Sequence, residues 1–372
     1  MELDLTEEQR MLGDAVKSLL DKRYEPNTRL ALLESDDTVN REMWKQYAEL
    51  GLLGLTFDEQ YGGAGMGVGE LAVVMEAFGR ALVLEPFVAT VVLGGALVAA
   101  AGSPEQKAAI LPGVADGSTL LAFAYSEVNS RWSLTDLETA ATADGDSWRI
   151  DGEKIAVLGG DSADQVIVSA RTPDGDVGLF LVDGASITRN PYRLQDGLGA
   201  ADLLFAGTPA TALGAPAEAL AHVESVLDVA TAVLCAEAVG AMDRMLWITV
   251  DYLKTRVQFG QPISVFQALQ FRAADMFVWL EQARSMSIVA RLALANDDVA
   301  ERRRAIQAAK IQVDTSSRRV GQEAIQLHGG IGMTMEYPVG HYVKRTAVIA
   351  KTFADTDTLV ELVGAGGGLI TE

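Results

Sequence analysis

The sequence predicts a chain in three parts: an N-terminal helical bundle, a central, mostly antiparallel β-domain, and a C-terminal helical bundle. Three observations predict it. Apolar residues recur at helical spacing over residues 1–118, the period falls toward two over 119–217, and helical spacing returns over 218–372. The domain boundaries are set where the period changes.

In the first part, Leu12, Val16, Leu19 and Leu20 mark a helix. Asp4 or Thr6 can cap it, with Glu7 or Gln9 three residues on to complete a capping box. Further helices are predicted at about 41–50, 67–82, 88–101 and 104–115, with YGGAG at 61–65 as a loop. In the second part, LLAFAYSE reads as a buried strand and ADLLFAG as another. Asp151-Gly152 lies between apolar alternations in SWRIDGEKIAVL and predicts a hairpin turn. Pro173, Asp174 and Gly175 predict a second turn in DQVIVSARTPDGDVGLFLVDG. The third part reads as long helices at 218–254, 265–295 and 299–327, the first with room for a bend, joined by short loops. The tail GAGGGLI, from Gly364, is expected to fray or to lie against a partner.

Composition narrows the function. With 372 residues, 49% of them apolar, the chain can bury sizeable cores. The formal charge of -21, from 51 acids against 30 bases, repels nucleic acid and anionic membranes but leaves room for a locally bound anion. Cys235 stands alone, which excludes an intramolecular disulfide and a cysteine-based zinc or iron–sulfur site within the chain. His328 and His341 are thirteen apart, and Glu336 does not complete a common zinc set, so no metal is expected. The N-terminus MELDLTEEQR is acidic, unlike a targeting peptide, and the apolar runs near 91–101 and 226–235 are too short to span a bilayer. A cytoplasmic protein is expected. No G-x-G-x-x-G follows the first strand and there is no P-loop, so Rossmann and Walker readings have no support.

Two stretches can carry chemistry. TRVQFGQPISVFQALQ, 255–270, joins two long helices. Arg256 offers a fork of donors suited to phosphate, Phe259 a flat face, and Gln267 and Gln270 share one side of the next helix. An ordinary helix–helix corner fits equally. QLHGGIGMTMEYPVGHYVKR, 326–345, follows a long helix; Gly329, Gly330 and Gly332 would let backbone amides approach an anion, or simply end the helix.

Occurring together, in this order, around a helical bundle that follows a β-domain, these stretches resemble the two C-terminal signatures of the acyl-CoA dehydrogenase family. FDEQYGGAG at 57–65 is similar to its N-terminal signature, and the resemblance covers nearly the whole chain. Within the family, MELDLTEEQRMLGDAV, MEAFGRALVLEPFVATVVLGG and KTFADTD look most like the small-subunit group of the pimeloyl-CoA dehydrogenases. The resemblance implies FAD bound between the β-domain and the C-terminal helices, oxidation of an acyl-CoA thioester between its α and β carbons, and electron transfer to an electron-transfer flavoprotein. It implies homotetramers, or α2β2 heterotetramers with one site per pair. It further implies that Arg256 reaches the FAD diphosphate across a subunit boundary, that Phe259 lies near the adenine, and that Gln267 contacts the same cofactor. Gln326, Gly329 and Gly330 would hold the adenine end and pyrophosphate.

The chain departs from the family pattern in three places. Phe353 stands where the usual glutamate base belongs, with Asp355 two positions late and Asp357 four. Thr231 occupies the family's other base position; Asp228 and Glu237 lie nearby but do not match it. The strand usually reading Thr-Glu-Pro-Gly-x-Gly-Ser-Asp is SEVNSRWS at 126–133, in which Ser126 can replace the threonine hydroxyl toward the flavin and Arg131 can meet a phosphate or face water. The Trp-Ile-Thr-Asn beside the flavin is replaced by AVLG at 156–159. Two readings follow: a partner subunit lacking the usual base, or a self-sufficient homotetramer with Asp355 as an atypical base.

Overall fold

A computed structural model describes residues 5–24, 26–145 and 147–367, the side chain of Pro26 excepted. Six α-helices come first: α1 Glu7–Arg23, α2 Pro26–Glu34, α3 Arg41–Glu49, α4 Val68–Ala81, α5 Ala96–Ala101 and α6 Pro104–Ala115, with a π-helix at Val88–Gly95. Seven strands follow: β1 Leu121–Ala124, β2 Ala140–Asp144, β3 Ser147–Leu158, β4 Gln165–Arg171, β5 Val177–Asp183, β6 Thr188–Arg193 and β7 Gly199–Ala212. After helix α7, Pro216–Thr255, a short pair β8 Val257–Gln258 and β9 Gln261–Pro262 leads to α8 Gln267–Ala293, α9 Val299–His328, α10 Val339–Ile349 and α11 Thr356–Ala365. The predicted order of helices, mostly antiparallel strands, and helices is the observed one.

The chain divides into two compact units. One joins Met1–Thr28, Val68–Val83 and Thr231–Glu372; the other joins Arg29–Gly67 and Leu84–Ala230. Helices α1 and α4 therefore belong with the C-terminal helices.

In the first unit, Thr6 caps α1 and Gln9 returns the bond in a capping box. Asp4, the other cap considered, lies outside the described residues. Small residues let the helices approach closely. A Cβ built on Gly79 would lie 1.9 Å from the Glu237 carbonyl oxygen, and one on Gly240 would lie 2.0 Å from that of Glu76. The backbones of α4 and α7 thus touch through a reciprocal pair of glycines. Ala232, Ala290, Ile306 and Ala309 form a tight cluster among α7, α8 and α9. Buried ion pairs brace this unit: Arg345 forks onto both oxygens of Glu237 at 2.5 and 2.7 Å, and Lys310 meets Asp314 at 2.6 Å and the Ile349 carbonyl at 3.0 Å. Burial pushes Asp314 up to about 6 against the pull of Lys310, and pushes the Cys235 thiol up to about 12. Within α7, an 18-residue window is apolar enough to cross a bilayer by length and composition, which exceeds the short run read from the sequence; 83% of that window is buried. Gly364 and Ala365 end α11, and residues 368–370 of the tail lie outside the described residues.

In the second unit, the sheet runs β1-β4-β2-β3-β7-β5, and β4 also pairs with β5, which closes a five-strand ring; β6 adds to β7. Pairings are antiparallel except β1 with β4 and a single bridge, Ala140 with Arg171, between β2 and β4. Side chains alternating inward, among them Ile150, Val166, Val168, Phe180 and Leu203, fill the ring. The turn at Pro173–Gly175 forms as predicted between β4 and β5. The turn predicted at Asp151-Gly152 does not form. β3 runs straight through it, and the β2–β3 hairpin turns instead after Asp144, with Gly145 at φ 64°. Both places read Asp-Gly; the one inside β3 serves a close approach, since Gly152 has φ 144° and a Cβ there would meet Thr139 Cα at 2.7 Å.

The helix predicted over 88–101 begins as the π-helix. Its Gly94 and Gly95 face Leu121 and the Phe57 ring too closely for any side chain, and the Thr90 hydroxyl donates to the Leu121 carbonyl at 3.0 Å. Helix α2 has no counterpart among the predicted helices.

Candidate cofactor site

The Arg256 stretch is built by the end of α7 and a two-residue hairpin. Phe259 and Gly260 both have positive φ, 54° and 77°, as a type I′ turn requires. Glycine accepts that at no cost, whereas phenylalanine is strained there, and strain of this kind clusters at binding sites. It leaves the Phe259 ring 90% exposed, edge-on to Phe266 at 6.0 Å. Arg256 is fixed through its backbone: its N–H donates to the Tyr252 carbonyl at 2.8 Å, and its carbonyl accepts from Ile263 N–H at 2.9 Å. Among the described residues nothing pairs with its exposed guanidinium. Gln267 opens α8 and is exposed; the preceding Phe266 supplies no side-chain cap, but its carbonyl accepts from Leu269 N–H at 2.9 Å and from Gln270 N–H at 3.2 Å.

The glycine stretch follows α9. Gly329 takes φ 65° to end the helix, and a Cβ on Gly329 or Gly330 would meet nothing within 4 Å. Gln326, one turn back, is exposed. The two stretches come together. Tyr252 stacks on His328 with ring centroids 4.4 Å apart, and its hydroxyl donates to the His328 carbonyl at 3.4 Å. Tyr337 closes on the other two rings at 4.8 and 6.1 Å. Sequence reading singled out neither tyrosine; the available signal was an aromatic one helical turn before the arginine.

The β-domain stretch is different. Ser126 is half-buried, and its carbonyl accepts from Ile155 N–H at 2.9 Å. Glu127 is buried and accepts from Lys154 Nζ at 2.7 Å and from the amides of Glu138 and Thr139 at 2.6 and 3.2 Å. Burial works against the Glu127 charge, yet these donors hold it below the usual carboxylate range. Burial pulls Lys154 down to about 8, although Glu127 opposes it. This pair pins the segment that replaces the glycine-rich turn, with Arg131 exposed at φ 51°.

At 156–159 the wall is occupied by the chain's own groups. Ala156 sits in a bulge of β3 at φ 50°, and its N–H donates to Asp202 Oδ1 at 3.0 Å, which also accepts from the Tyr192 hydroxyl at 2.7 Å. Burial, followed by the Asp202 hydrogen bond, raises Tyr192 to about 12. Gly159 lies against Ala89, whose Cβ would be 2.9 Å from a Cβ added there.

Asp355 caps α11. Its Oδ1 accepts from Thr358 N–H at 3.0 Å, and its Oδ2 meets Lys351 Nζ at 3.0 Å. The Thr358 amide, and then Lys351, bring it down to about 2, far from the range in which a carboxylate takes up a proton efficiently near neutral pH. Phe353 is held at φ 67°. Glu237 is committed to Arg345, and Thr231 and Asp228 are buried.

The comparisons agree with this architecture. Family models for the acyl-CoA dehydrogenase N-terminal, middle and C-terminal domains match residues 6–118, 122–205 and 220–353. The chain belongs to the acyl-CoA dehydrogenase family, whose members are FAD-dependent oxidoreductases of the acyl-CoA dehydrogenase type. It is 34% identical to acyl-CoA dehydrogenase fadE12 of Mycobacterium bovis, over 80% of both chains. It is 32% identical to acyl-CoA dehydrogenase IpdE2 of Mycobacterium tuberculosis, over 91% of both. Among solved structures, the Tcur3481-Tcur3483 steroid ACAD, as a variant, matches with a TM-score of 0.88 and 32% identity over 97% of both chains.

The fit to FAD is split. The 256–267 and 326–330 stretches offer a guanidinium without a partner among the described residues and glycines bare enough for a diphosphate to approach. The β-domain stretch offers no aromatic cover at 156–159, and its exposed amide is answered by Asp202.

Proposed function

We propose that this chain is the partner subunit of a FAD-dependent acyl-CoA dehydrogenase complex of α2β2 type, contributing half of the cofactor site and no catalytic base. The observation that carries the reading is the contrast between an open diphosphate end and a ring wall closed by Asp202. In this reading Arg256 neutralises the diphosphate, and Gly329 and Gly330 let backbone donors reach it. Phe259 covers the adenine face, and Gln267 and Gln326 hydrogen-bond the same end of the cofactor. When bound, FAD takes up the hydride from the β carbon of the acyl-CoA thioester. The wall that holds the isoalloxazine ring and the base for the α proton come from a second acyl-CoA dehydrogenase-like chain, while Asp355 keeps its place as a helix cap. Ser126 retains a hydroxyl on the ring side, too little by itself to hold a flavin.

The likeness of MELDLTEEQRMLGDAV and KTFADTD to the pimeloyl-CoA dehydrogenase small-subunit group supports a partner role, as does the paired name of the Tcur3481-Tcur3483 steroid ACAD. That relative also favours a bulky, polycyclic acyl group. Electron-transfer flavoprotein is the proposed acceptor, and the cytoplasm the proposed location.

Expression alone and with the acyl-CoA dehydrogenase-like chain encoded beside it tests the reading. Flavin absorbance and subunit ratio should give a colourless preparation alone and about one FAD per pair together. A yellow homotetramer that oxidises acyl-CoA unaided would overturn it.

A further inference from the structure

We infer that Tyr252, His328 and Tyr337 are positioning residues for the cofactor: their tilted stack sets the spacing between the Arg256 stretch and the Gly329–Gly330 stretch. The inference rests on the reading that these stretches hold the FAD diphosphate.

His328 is 4% exposed and packs against both tyrosine rings, 4.4 Å from Tyr252 and 4.8 Å from Tyr337, which meet each other edge-on at 6.1 Å to close a three-ring triangle. Its Nδ1 is 2.8 Å from the Ala324 carbonyl. A carbonyl only accepts, so Nδ1 carries the proton and Nε2 is left as an acceptor. Nε2 is buried without a hydrogen-bond partner. Leaving a buried acceptor unanswered is unfavourable, and a phenylalanine would avoid it. What histidine adds is the tie from its own ring into the last turn of α9, which fixes the ring plane where the chain turns left-handed at Gly329. Burial also holds the imidazole below its usual value, against the Ala324 bond, and so favours the neutral form this tie allows.

The other side of the stack belongs to α7. Tyr252 is one turn before Arg256, accepts its N–H and donates to the His328 carbonyl. A displacement of the His328 ring therefore moves the arginine-bearing turn and the glycine turn relative to each other. Charge-assisted, two-pronged contacts to a diphosphate tolerate little such error. Nothing in the clasp touches the reacting carbons; it acts through the residues it holds.

The test uses the complete complex of this chain with its flavin-holding partner, and reads FAD dissociation by dialysis and flavin absorbance. Unfolding of the FAD-stripped complex is followed in parallel. His328→Leu and Tyr252→Leu, which each remove a ring and its two ring contacts, are expected to weaken FAD retention about tenfold. His328→Phe keeps the ring and should restore retention to within about threefold of wild type, without lowering the unfolding midpoint of the FAD-stripped complex. Equal retention by His328→Leu and wild type overturns the inference, as does equal loss in His328→Leu and His328→Phe. Should the leucine variants not assemble, Tyr252→Phe and His328→Phe decide it, since both keep their rings and a loss above about tenfold in either contradicts a stacking role. A wild-type complex without FAD sinks the functional reading instead, and the two failures are thereby told apart.

Discussion

Two regions assigned to one cofactor by the sequence resemblance differ in how their polar groups are met in this chain. The C-terminal turns keep exposed side chains that no described residue answers, Arg256 and Gln267, and present the bare glycines at 329 and 330. The β-domain turns have found partners at home. Asp202 takes the Ala156 amide, Lys154 and Glu127 pin the segment after β1, and Gly159 lies against the π-helix. Polar groups in a working site are left for a ligand to satisfy, whereas groups released from that duty are satisfied within the fold, because an unmet donor in a partly buried wall is costly. Under the proposed partner role, such internal satisfaction is what a wall that does not meet the flavin ring should show.

The comparison can be broken most severely through the scaffold under the open half. Arg345→Leu leaves the Glu237 carboxylate buried and alone, and should cost about 3–5 kcal/mol in denaturant unfolding. A loss below 1 kcal/mol would show that this pair does not brace the unit.

Next in size is the contrast between two arginines. Arg256→Ala in the assembled complex should weaken FAD retention about ten- to a hundredfold, the worth of a charge-assisted hydrogen bond, while Arg131→Ala leaves it unchanged. Equal effects on flavin absorbance after dialysis would erase the contrast.

Asp202→Ala sharpens the other side. It should lower stability by about 1 kcal/mol by freeing the Ala156 amide and the Tyr192 hydroxyl, with no change in the FAD content of the complex. Bound flavin gained by the isolated chain would mean that Asp202 had been excluding it.

The smallest effect is expected at Asp355. Asp355→Asn in the complex should leave acyl-CoA turnover unchanged, with at most about 1 kcal/mol lost at the cap. Because the folded-state carboxyl is depressed to about 2, its contribution is present above the unfolded value and is lost as pH falls toward 2; the asparagine variant should lack that acid-side slope. Abolished turnover with intact FAD would restore Asp355 as the base.

Much of the fold was legible because its signals are local. The capping box at Thr6 and Gln9, the Pro173–Gly175 turn and the helical periods need only neighbouring residues. The turn at Asp151-Gly152 failed because two Asp-Gly pairs compete within a few residues, and the choice depends on Thr139, just before β2, crowding Gly152. The π-helix was invisible for a related reason: an apolar run ending in two glycines reads as a helix of any pitch until Leu121 and Phe57 press on it. At the candidate site, Arg256, Gln267 and the glycines could be named from their stretches. The clasp could not, since Tyr252 and His328 are 76 residues apart. Nor could the closing of the ring wall, since Asp202 lies 46 residues from Ala156.

The reciprocal glycines of α4 and α7 bear on how the polypeptide would come apart. With Gly79 against the Glu237 backbone and Gly240 against that of Glu76, α4 is keyed into the C-terminal helices. A protease cutting at the exposed turn 116–118 should therefore not release the first third of the molecule as a piece. Native electrophoresis after gentle digestion should find α4 still travelling with the C-terminal fragment, until a bulkier residue at either notch pries the helices apart.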